Sequence, residues 1–355
     1  MRTVVKALLR NLSTVQVRHV RAVPFSAADG DLVRLYREIE RDFGVLAPPM
    51  ILHAPAPDVL AAAWLMLRET LLVPGAAPRA SKEAVCTAVS ESNDCPFCVT
   101  IHSSMLTNLV GYSDGAIANP HARAAADWTA ANATPSTGAG HLVPFPLSQA
   151  PEMVGCAVIL QYLNRMVNIF LGDVPLPPGT PNAALRVVRR VLIWLIKSAE
   201  SQGPRPGASL DLLPEAPLPA DLRWAAGNPA IAGAFARGAA AIERAGHRSV
   251  PAEVRELVGE RLARWHGGPV GLSRAWVEED VAALSADLRP AGRLALLTAL
   301  ASYQIDQPVI DDFRATQPDD RALTDLTSWA SLAAARRAGS WMRLRTETPE
   351  AGAAG

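Results

Sequence analysis

The sequence predicts an all-α protein, and three observations support this prediction. Ala, the best helix former, is abundant, whereas aromatic residues make up only 5% of the 355 residues. Long segments such as 59–67, Val-Leu-Ala-Ala-Ala-Trp-Leu-Met-Leu, repeat apolar side chains at three- and four-residue spacing instead of alternating them. No series of Val/Ile/Thr-rich segments separated by hairpin turns occurs. We therefore expect helices that pack around an Ala/Leu/Val-rich core.

The composition excludes several classes of partner. Lys plus Arg and Asp plus Glu each total 34, so the chain has no net field of one sign to attract nucleic acid or an anionic membrane. The stretch 153–171 contains Gln161, Asn164 and Arg165, and the stretch 191–196 is short, so neither is expected to span a membrane. No Gly-rich phosphate loop or dinucleotide fingerprint occurs. We expect no nucleic acid, membrane or nucleotide partner.

The cysteines and the N-terminal segment favour a cytoplasmic location. Four cysteines are too few and too unevenly spaced for a disulfide-stabilised secreted domain. Residues 1–6 lack the apolar core and cleavage site of a secretory signal. Five basic residues precede the first acidic residue, Asp29. We expect this basic segment to be a solvated arm or an oligomer contact rather than a membrane-surface or transit segment.

The distribution of Pro and Gly predicts two lobes. Pro- and Gly-rich passages at 175–181 and 203–219 flank one basic amphipathic helix, Leu185–Ser198, which we interpret as the connection. The predicted division is a basic N-terminal arm (1–30), a catalytic lobe (31–180), the connecting helix with its linkers (181–219), a degenerate second lobe (220–345) and a disordered tail (346–355).

One motif relates the two lobes. Glu83 lies twelve residues before the Cys-Pro-Phe-Cys sequence that begins at residue 95, and Glu256 lies twelve residues before the Gly-Pro-Val-Gly sequence that begins at residue 268. This pattern predicts a duplication in which the second copy has lost its cysteines. A generic helix-turn-helix similarity is the alternative.

The segment 81–104 carries a Cys-x-x-Cys motif between two predicted helices. The first helix contains Glu83 and ends around residues 92–93, and the second begins at Cys95, where Pro96 suits the first helical position because it lacks an N–H group. Cys98 then lies in the first turn, where the helix dipole and free backbone N–H groups favour a thiolate. Cys95, three residues earlier, is close enough to form a disulfide with Cys98.

A base and a carboxylate are predicted beside these thiols. His102 follows Cys98 by four residues, so both side chains share one face of the second helix. Glu83 lies on the neighbouring helix, where an antiparallel hairpin would bring it to His102. The predicted site therefore contains Cys98 as nucleophile, Cys95 as resolving thiol, His102 as proton shuttle and Glu83 as its orienting carboxylate.

The combined spacing resembles the signature of the alkyl hydroperoxidase D (AhpD) and carboxymuconolactone decarboxylase superfamily. The sequence at 88–98, Ala-Val-Ser-Glu-Ser-Asn-Asp-Cys-Pro-Phe-Cys, is similar as well, and the resemblance is clearest over residues 45–171. It implies an AhpD-like helical fold. AhpD itself has a histidine at the position of Phe97, so the resemblance implies a shorter proton relay here. A single AhpD unit would account for about half of this chain.

The resemblance implies a thiol-dependent peroxidase cycle. Cys98 would reduce an organic hydroperoxide or hydrogen peroxide, Cys95 would resolve the sulfenic acid as a disulfide, and a dithiol partner such as a dihydrolipoyl protein would restore both thiols. Glu83 and His102 match the proton relay of the family. The resemblance also implies a symmetric homo-oligomer and no cofactor beyond the redox-active Cys95–Cys98 disulfide.

Three other functions use the same residues. A zinc site could take Cys95, Cys98 and His102 as ligands, but the sequence offers no fourth ligand. The ring-lactone decarboxylases of the superfamily use the fold without thiol chemistry, and the two cysteines argue against that activity. A non-catalytic helical interaction protein whose cysteines sense oxidation is the third alternative, and it predicts oxidation without turnover.

The remaining candidates receive structural roles. Cys86 and Cys156 are expected to be small buried hydrophobes, because nothing cationic or basic stands at helical spacing beside them. Arg165 is expected to form a salt bridge between lobes or subunits rather than to bind a substrate anion. The other histidines receive no catalytic role.

Overall fold

The computed structural model describes residues 2–113, 116–135, 142–172, 190–191, 194–196, 198–199, 203–342 and 344. It confirms the all-α fold, since about 70% of the described residues are helical and 1% are in strands. The only strands in the described ranges form a hairpin, in which β1 (Tyr112–Ser113) pairs antiparallel with β2 (Ala116–Ile117). The 175–181 passage, the 346–355 tail and most of the predicted connecting helix lie outside the described residues.

Within the described residues the α-helices are α1 (Arg2–Val15), α2 (Gly30–Asp42), α3 (Pro48–Ile51), α4 (Pro57–Leu67), α5 (Arg79–Ser92), α6 (Pro96–Val110), α7 (Pro120–Ala131), α8 (Ala150–Phe170), α9 (Pro229–Ser249), α10 (Ala252–Arg264), α11 (Ala275–Val281), α12 (Arg289–Leu300), α13 (Gln307–Thr316) and α14 (Asp320–Gly339). A π-helical turn, Arg68–Leu72, continues α4. Short 3-10 turns occupy Phe25–Ala27, Leu147–Gln149, Leu210–Leu212, Ala220–Gly227 and Ser302–Gln304.

Helix α8 is the centre of the core. Nearly all of its side chains are buried, and it packs against α5, α4 and α14. Two glycines permit this close packing: a Cβ on Gly155 would meet Thr70 Cγ2 at 2.4 Å, and one on Gly339 would meet Val158 Cγ2 at 2.6 Å. The segment Leu147–Phe170 is long and apolar enough to cross a membrane, but 94% of its most apolar window is buried inside the protein. This burial identifies it as a core helix.

The two halves of the chain share one hydrophobic core. A single cluster of buried side chains includes residues of α4 and α8 together with residues of α9 and α14. Helix α4 packs on α9, and α8 packs on α14. Glu256 is exposed on α10, and the Gly-Pro-Val-Gly sequence at 268–271 lies in a non-helical stretch before α11 instead of beginning a helix. The duplication and the predicted domain boundaries stay predictions.

Helices α5 and α6 form the hairpin that holds the Cys-x-x-Cys motif. Helix α5 ends at Ser92 and α6 begins at Pro96, as the sequence predicts. The reversal passes through Asp94, which has a left-handed φ of 46°, a conformation that Asp tolerates better than most residues. The Cys95 backbone N–H donates to the Ser90 carbonyl oxygen at 3.0 Å. The turn therefore places Cys95 at the N-cap of α6 and Cys98 in its first turn.

Candidate active site

Glu83 and His102 contact each other as the sequence predicts. His102 Nδ1 lies 2.7 Å from Glu83 Oε2, and Arg79, one turn before Glu83 on α5, donates from Nε to Glu83 Oε1 at 2.8 Å. Glu83 is buried, with 1% of its surface exposed. Burial on its own would raise the Glu83 pKa, but Arg79 and His102 together hold this pKa below its usual value. Glu83 is therefore an ionised carboxylate inside the protein.

The Cys95 and Cys98 thiols lie together and are both buried. Both are free thiols, with 1% and 5% of their surfaces exposed. Burial, followed by the neighbouring Cys95 thiol, raises the pKa of Cys98 well above its usual range, and a hydrogen bond with Asn164 offsets only part of this rise. The expectation of a resting Cys98 thiolate is therefore wrong, because the low-dielectric surroundings outweigh the start of the helix.

Asparagine side chains hold the motif against α8. Asn164 Nδ2 donates to Ser90 Oγ at 3.1 Å, and Asn164 Oδ1 accepts from Asn93 Nδ2 at 3.1 Å. Asn168 Nδ2 donates to the Asn93 carbonyl oxygen, also at 3.1 Å. Sequence reasoning gave these asparagines no role. The available signal was a buried amide within the otherwise apolar stretch 153–171, because a buried polar group requires a partner.

An apolar cavity of about 120 Å³ opens onto one of the two thiols. Cys98 and His102 line this cavity, whereas Cys95 does not. Most of the remaining wall is aliphatic or aromatic, and part of it comes from α1 through Leu9 and Leu12. The basic N-terminal segment thus contributes to the cavity wall. It is attached to α2 by Arg10 of α1, which forms a bidentate ion pair with Glu40, at 2.5 and 2.6 Å.

Cys86 and Cys156 are fully buried, as expected, but Cys86 has a basic and an acidic neighbour. Ligand atoms of Glu83, Cys86 and His102 lie within 4.8 Å of one another. The expectation that nothing cationic or basic stands at helical spacing beside Cys86 was wrong, because Lys82 lies four residues before it on α5. Among the described residues the metal-binding geometry thus falls on these three and not on the Cys-x-x-Cys motif with His102, which weakens the zinc alternative considered above.

Arg165 is buried between the two halves without a carboxylate partner in the described parts of the chain. Its Nε donates to the Ala299 carbonyl oxygen at 2.9 Å, and its Nη1 donates to the backbone and side-chain oxygens of Gln161. The guanidinium lies 5.8 Å from the ring centre of Trp265, and burial lowers the pKa of Arg165 to about 10. The predicted salt bridge was wrong, since carbonyl oxygens and an aromatic face take its place.

Comparison with known proteins places the chain in a family. No protein-family model matches the chain. A curated alkyl hydroperoxide reductase of Mycobacterium tuberculosis (strain ATCC 25618 / H37Rv) is 37% identical over 342 residues, which cover 93% of this chain and 96% of the relative. The chain belongs to this alkyl hydroperoxide reductase family. The relationship extends over both halves of the chain, and the family name agrees with the thiol oxidoreductase class that the Cys-x-x-Cys motif predicts.

Proposed function

We propose that this protein is a dithiol-dependent peroxidase in which Cys98 reduces organic hydroperoxides or hydrogen peroxide. The observation that carries the proposal is the position of Cys98: it lines the apolar cavity, while its neighbour Cys95 lies behind it in contact with its sulfur. A substrate that enters the cavity meets one thiol, and the second thiol is held ready for the next step. The family name of the M. tuberculosis relative supports this activity.

In the first step the Cys98 sulfur attacks the terminal oxygen of the hydroperoxide. The O–O bond breaks, an S–O bond forms, and the departing alkoxide takes up a proton, so that the products are Cys98 sulfenic acid and an alcohol. Hydrogen peroxide would give water instead of the alcohol. Because burial raises the pKa of Cys98, the thiol proton has to be accepted during the reaction.

We assign this proton transfer to His102. When His102 Nδ1–H donates to the ionised Glu83 carboxylate, Nε2 remains as the acceptor. His102 lines the same cavity as Cys98, so Nε2 is available to accept the thiol proton and to return it to the alkoxide. Glu83 fixes the tautomer of His102, and Arg79 keeps Glu83 ionised.

In the second step the Cys95 sulfur attacks the sulfenic acid sulfur of Cys98. The S–O bond breaks, a Cys95–Cys98 disulfide forms, and one water molecule leaves. A dithiol reductant, such as a dihydrolipoyl group, then exchanges with this disulfide and becomes the oxidised partner. The cycle consumes one dithiol for each hydroperoxide and requires no further cofactor.

In this proposal the second half of the chain has a structural role and contributes no reacting residue. All four cysteines lie before residue 157, while α9 and α14 provide the surfaces on which α4 and α8 pack. A symmetric homo-oligomer, a cytoplasmic location and a dihydrolipoyl partner remain part of the proposal as predictions.

The test is hydroperoxide consumption with dihydrolipoamide as reductant, together with a thiol count before and after oxidation. We expect wild type to turn over and to lose two thiols, and we expect Cys98→Ser to lose turnover. Cys156→Ser is the matched control because it makes the same substitution at a buried cysteine outside the cavity wall. Thiol oxidation without turnover would favour the redox-sensing alternative, and unchanged turnover in Cys98→Ser would overturn the proposal.

A further inference from the structure

A second pair of thiols lies beside the proton-relay residues and has no part in the proposed cycle. Cys86 of α5 and Cys156 of α8 are both fully buried and free. Their side chains are close enough to hydrogen bond, and this contact, after burial, contributes to a raised pKa of Cys86. They are therefore adjacent sulfur atoms in the interior, at a place where α5 packs against α8.

The surroundings of this pair have the composition of a metal site. One atom each of Glu83, Cys86 and His102 can be chosen so that all three lie within 4.8 Å of one another, and Cys156 adds a second sulfur next to Cys86. With zinc–ligand bonds of about 2.0–2.3 Å, neighbouring ligand atoms of a tetrahedral site are roughly 3.3–3.8 Å apart. The ligand atoms of Glu83, Cys86 and His102 are already within 4.8 Å of one another, whereas the Cys156 sulfur is placed by its contact with Cys86 and has to move towards the other two ligands.

We propose that Glu83, Cys86, His102 and Cys156 form a binding site for a borderline-soft divalent cation of the Zn²⁺ class. Two thiolates, one carboxylate and one imidazole are ligands that zinc accepts in four-coordinate sites. Calcium and magnesium, which require oxygen ligands, do not suit this set.

The charges of the site balance when such an ion is bound. Two thiolates and the Glu83 carboxylate carry three negative charges, the cation carries two positive charges, and Arg79, which is ion-paired with Glu83 Oε1, supplies the third. The two thiol protons leave to solvent on binding. A neutral arrangement is favoured in a buried region because unbalanced charge is costly there. Arg79 therefore does not compete with the cation but completes the balance.

Occupancy of this site and proton transfer by His102 exclude each other. The Glu83 oxygen and the His102 nitrogen that share a hydrogen bond would become ligands of the cation, so His102 could no longer accept the Cys98 proton. The cation reaches the site through the cavity, since His102 lines it. This consequence rests on the proposed peroxidase function, whereas the existence of the site does not.

The binding test uses Co²⁺ as a spectroscopic substitute for Zn²⁺, in a Cys95→Ser/Cys98→Ser background that removes the other thiol pair. We expect one equivalent of Co²⁺ to produce thiolate-to-cobalt absorption in the near ultraviolet and visible bands of a tetrahedral ion, and Zn²⁺ to displace it. Addition of Cys86→Ala or Cys156→Ala should abolish these bands. Thr87→Ala, at a buried neighbour on α5 that is not a ligand, should retain them.

The bands are interpreted only for variants whose circular dichroism and thermal unfolding match the background protein. Absence of the bands in the folded background protein, or their persistence in folded Cys86→Ala and Cys156→Ala, would overturn the site. Because this measurement requires no turnover, it remains decisive even for a protein without peroxidase activity.

A second measurement tests the consequence for activity. Zn²⁺ should inhibit hydroperoxide consumption by wild type, and Cys156→Ala should raise the inhibitory concentration at least about tenfold, since loss of supporting groups alone weakens metal sites by 10–100-fold. Activity of Cys156→Ala in the presence of a chelator should remain. Equal inhibition of both proteins would overturn the assignment of inhibition to this site, and cobalt binding without any turnover would refute the peroxidase proposal while sustaining the metal site.

Discussion

Replacement of Glu83 by Gln tests whether the buried carboxylate acts on catalysis through His102. Gln preserves the volume and one hydrogen-bonding oxygen but removes the negative charge that faces His102 Nδ1 at 2.7 Å. The charge-assisted hydrogen bond becomes a neutral one, and the imidazolium that forms when His102 accepts the thiol proton loses its counter-charge. We expect slower turnover with little change in the shape of the cavity, because Glu83 does not line it.

The expected magnitudes follow from the contacts of Glu83. A hydrogen bond to a charged group contributes about 1.5–3 kcal/mol, and each 1.36 kcal/mol changes a rate tenfold, so kcat/KM should fall about 10- to 150-fold. Loss of one partner of a buried ion pair costs about 3–5 kcal/mol. Arg79 is 18% exposed and retains a bond to the Leu71 carbonyl oxygen, so we expect a smaller loss of about 2 kcal/mol.

The assay compares hydroperoxide consumption and thermal unfolding of Glu83→Gln with those of Glu152→Gln. Glu152 is a matched control because it is also a buried carboxylate with a basic partner: Lys82 Nζ lies 2.5 Å from Glu152 Oε2, and the pair lies outside the cavity wall. Both variants should lose stability, but only Glu83→Gln should lose activity. An equal loss of activity in both variants would refute the reasoning, since activity would then follow stability alone.

Cys95→Ser should complete a single turnover and accumulate Cys98 sulfenic acid that dimedone labels, whereas absence of labelling would remove Cys95 as the resolving thiol. Because burial raises the pKa of Cys98, its alkylation by iodoacetamide should still increase through pH 9, and a plateau below pH 8 would contradict this pKa. Arg10→Gln removes the ion pair with Glu40, so α1 should move away from the cavity more often. If the lost ion pair contributed about 1 kcal/mol, a maleimide should label Cys98 about fivefold faster. An unchanged labelling rate would mean that α1 does not control access to Cys98.

The sequence was sufficient for those features that depend on neighbours along the chain. Helical periodicity identified the fold class, and the position of Pro96 located the start of α6 within one residue. The contact between Glu83 and His102 was predictable as well, because a short reversal makes α5 and α6 antiparallel, so that the early part of α5 lies beside the middle of α6. These inferences require only helix geometry and the length of one turn.

The remaining features depend on how distant helices are rotated against each other. Asn164 meets Asn93 across 71 positions, and α1 reaches the cavity from the N-terminus of the chain, so helical periodicity fixes neither contact. For the same reason the burial of Cys86 was predicted correctly, but the approach of His102 and Cys156 to its face of α5 was not predictable. The Cys98 pKa also required the tertiary structure, because position in a first turn does not determine burial.

Because the pKa of Cys98 is high, the nucleophilic reactivity of its sulfur cannot come from the start of α6 alone and has to be provided by another part of the proposed site. A resting thiolate would be nucleophilic at all times, whereas a protonated buried thiol reacts only when a base accepts its proton as the S–O bond forms. The rate then depends on the Glu83–His102 pair more than on the start of α6. It follows that Cys98 in the resting protein is protected against oxidation and alkylation by groups that do not enter the cavity. In this mechanism the apolar cavity wall both raises the Cys98 pKa and selects apolar hydroperoxides. A substitution that makes the wall more polar would therefore lower the Cys98 pKa and, at the same time, weaken the binding of apolar substrates.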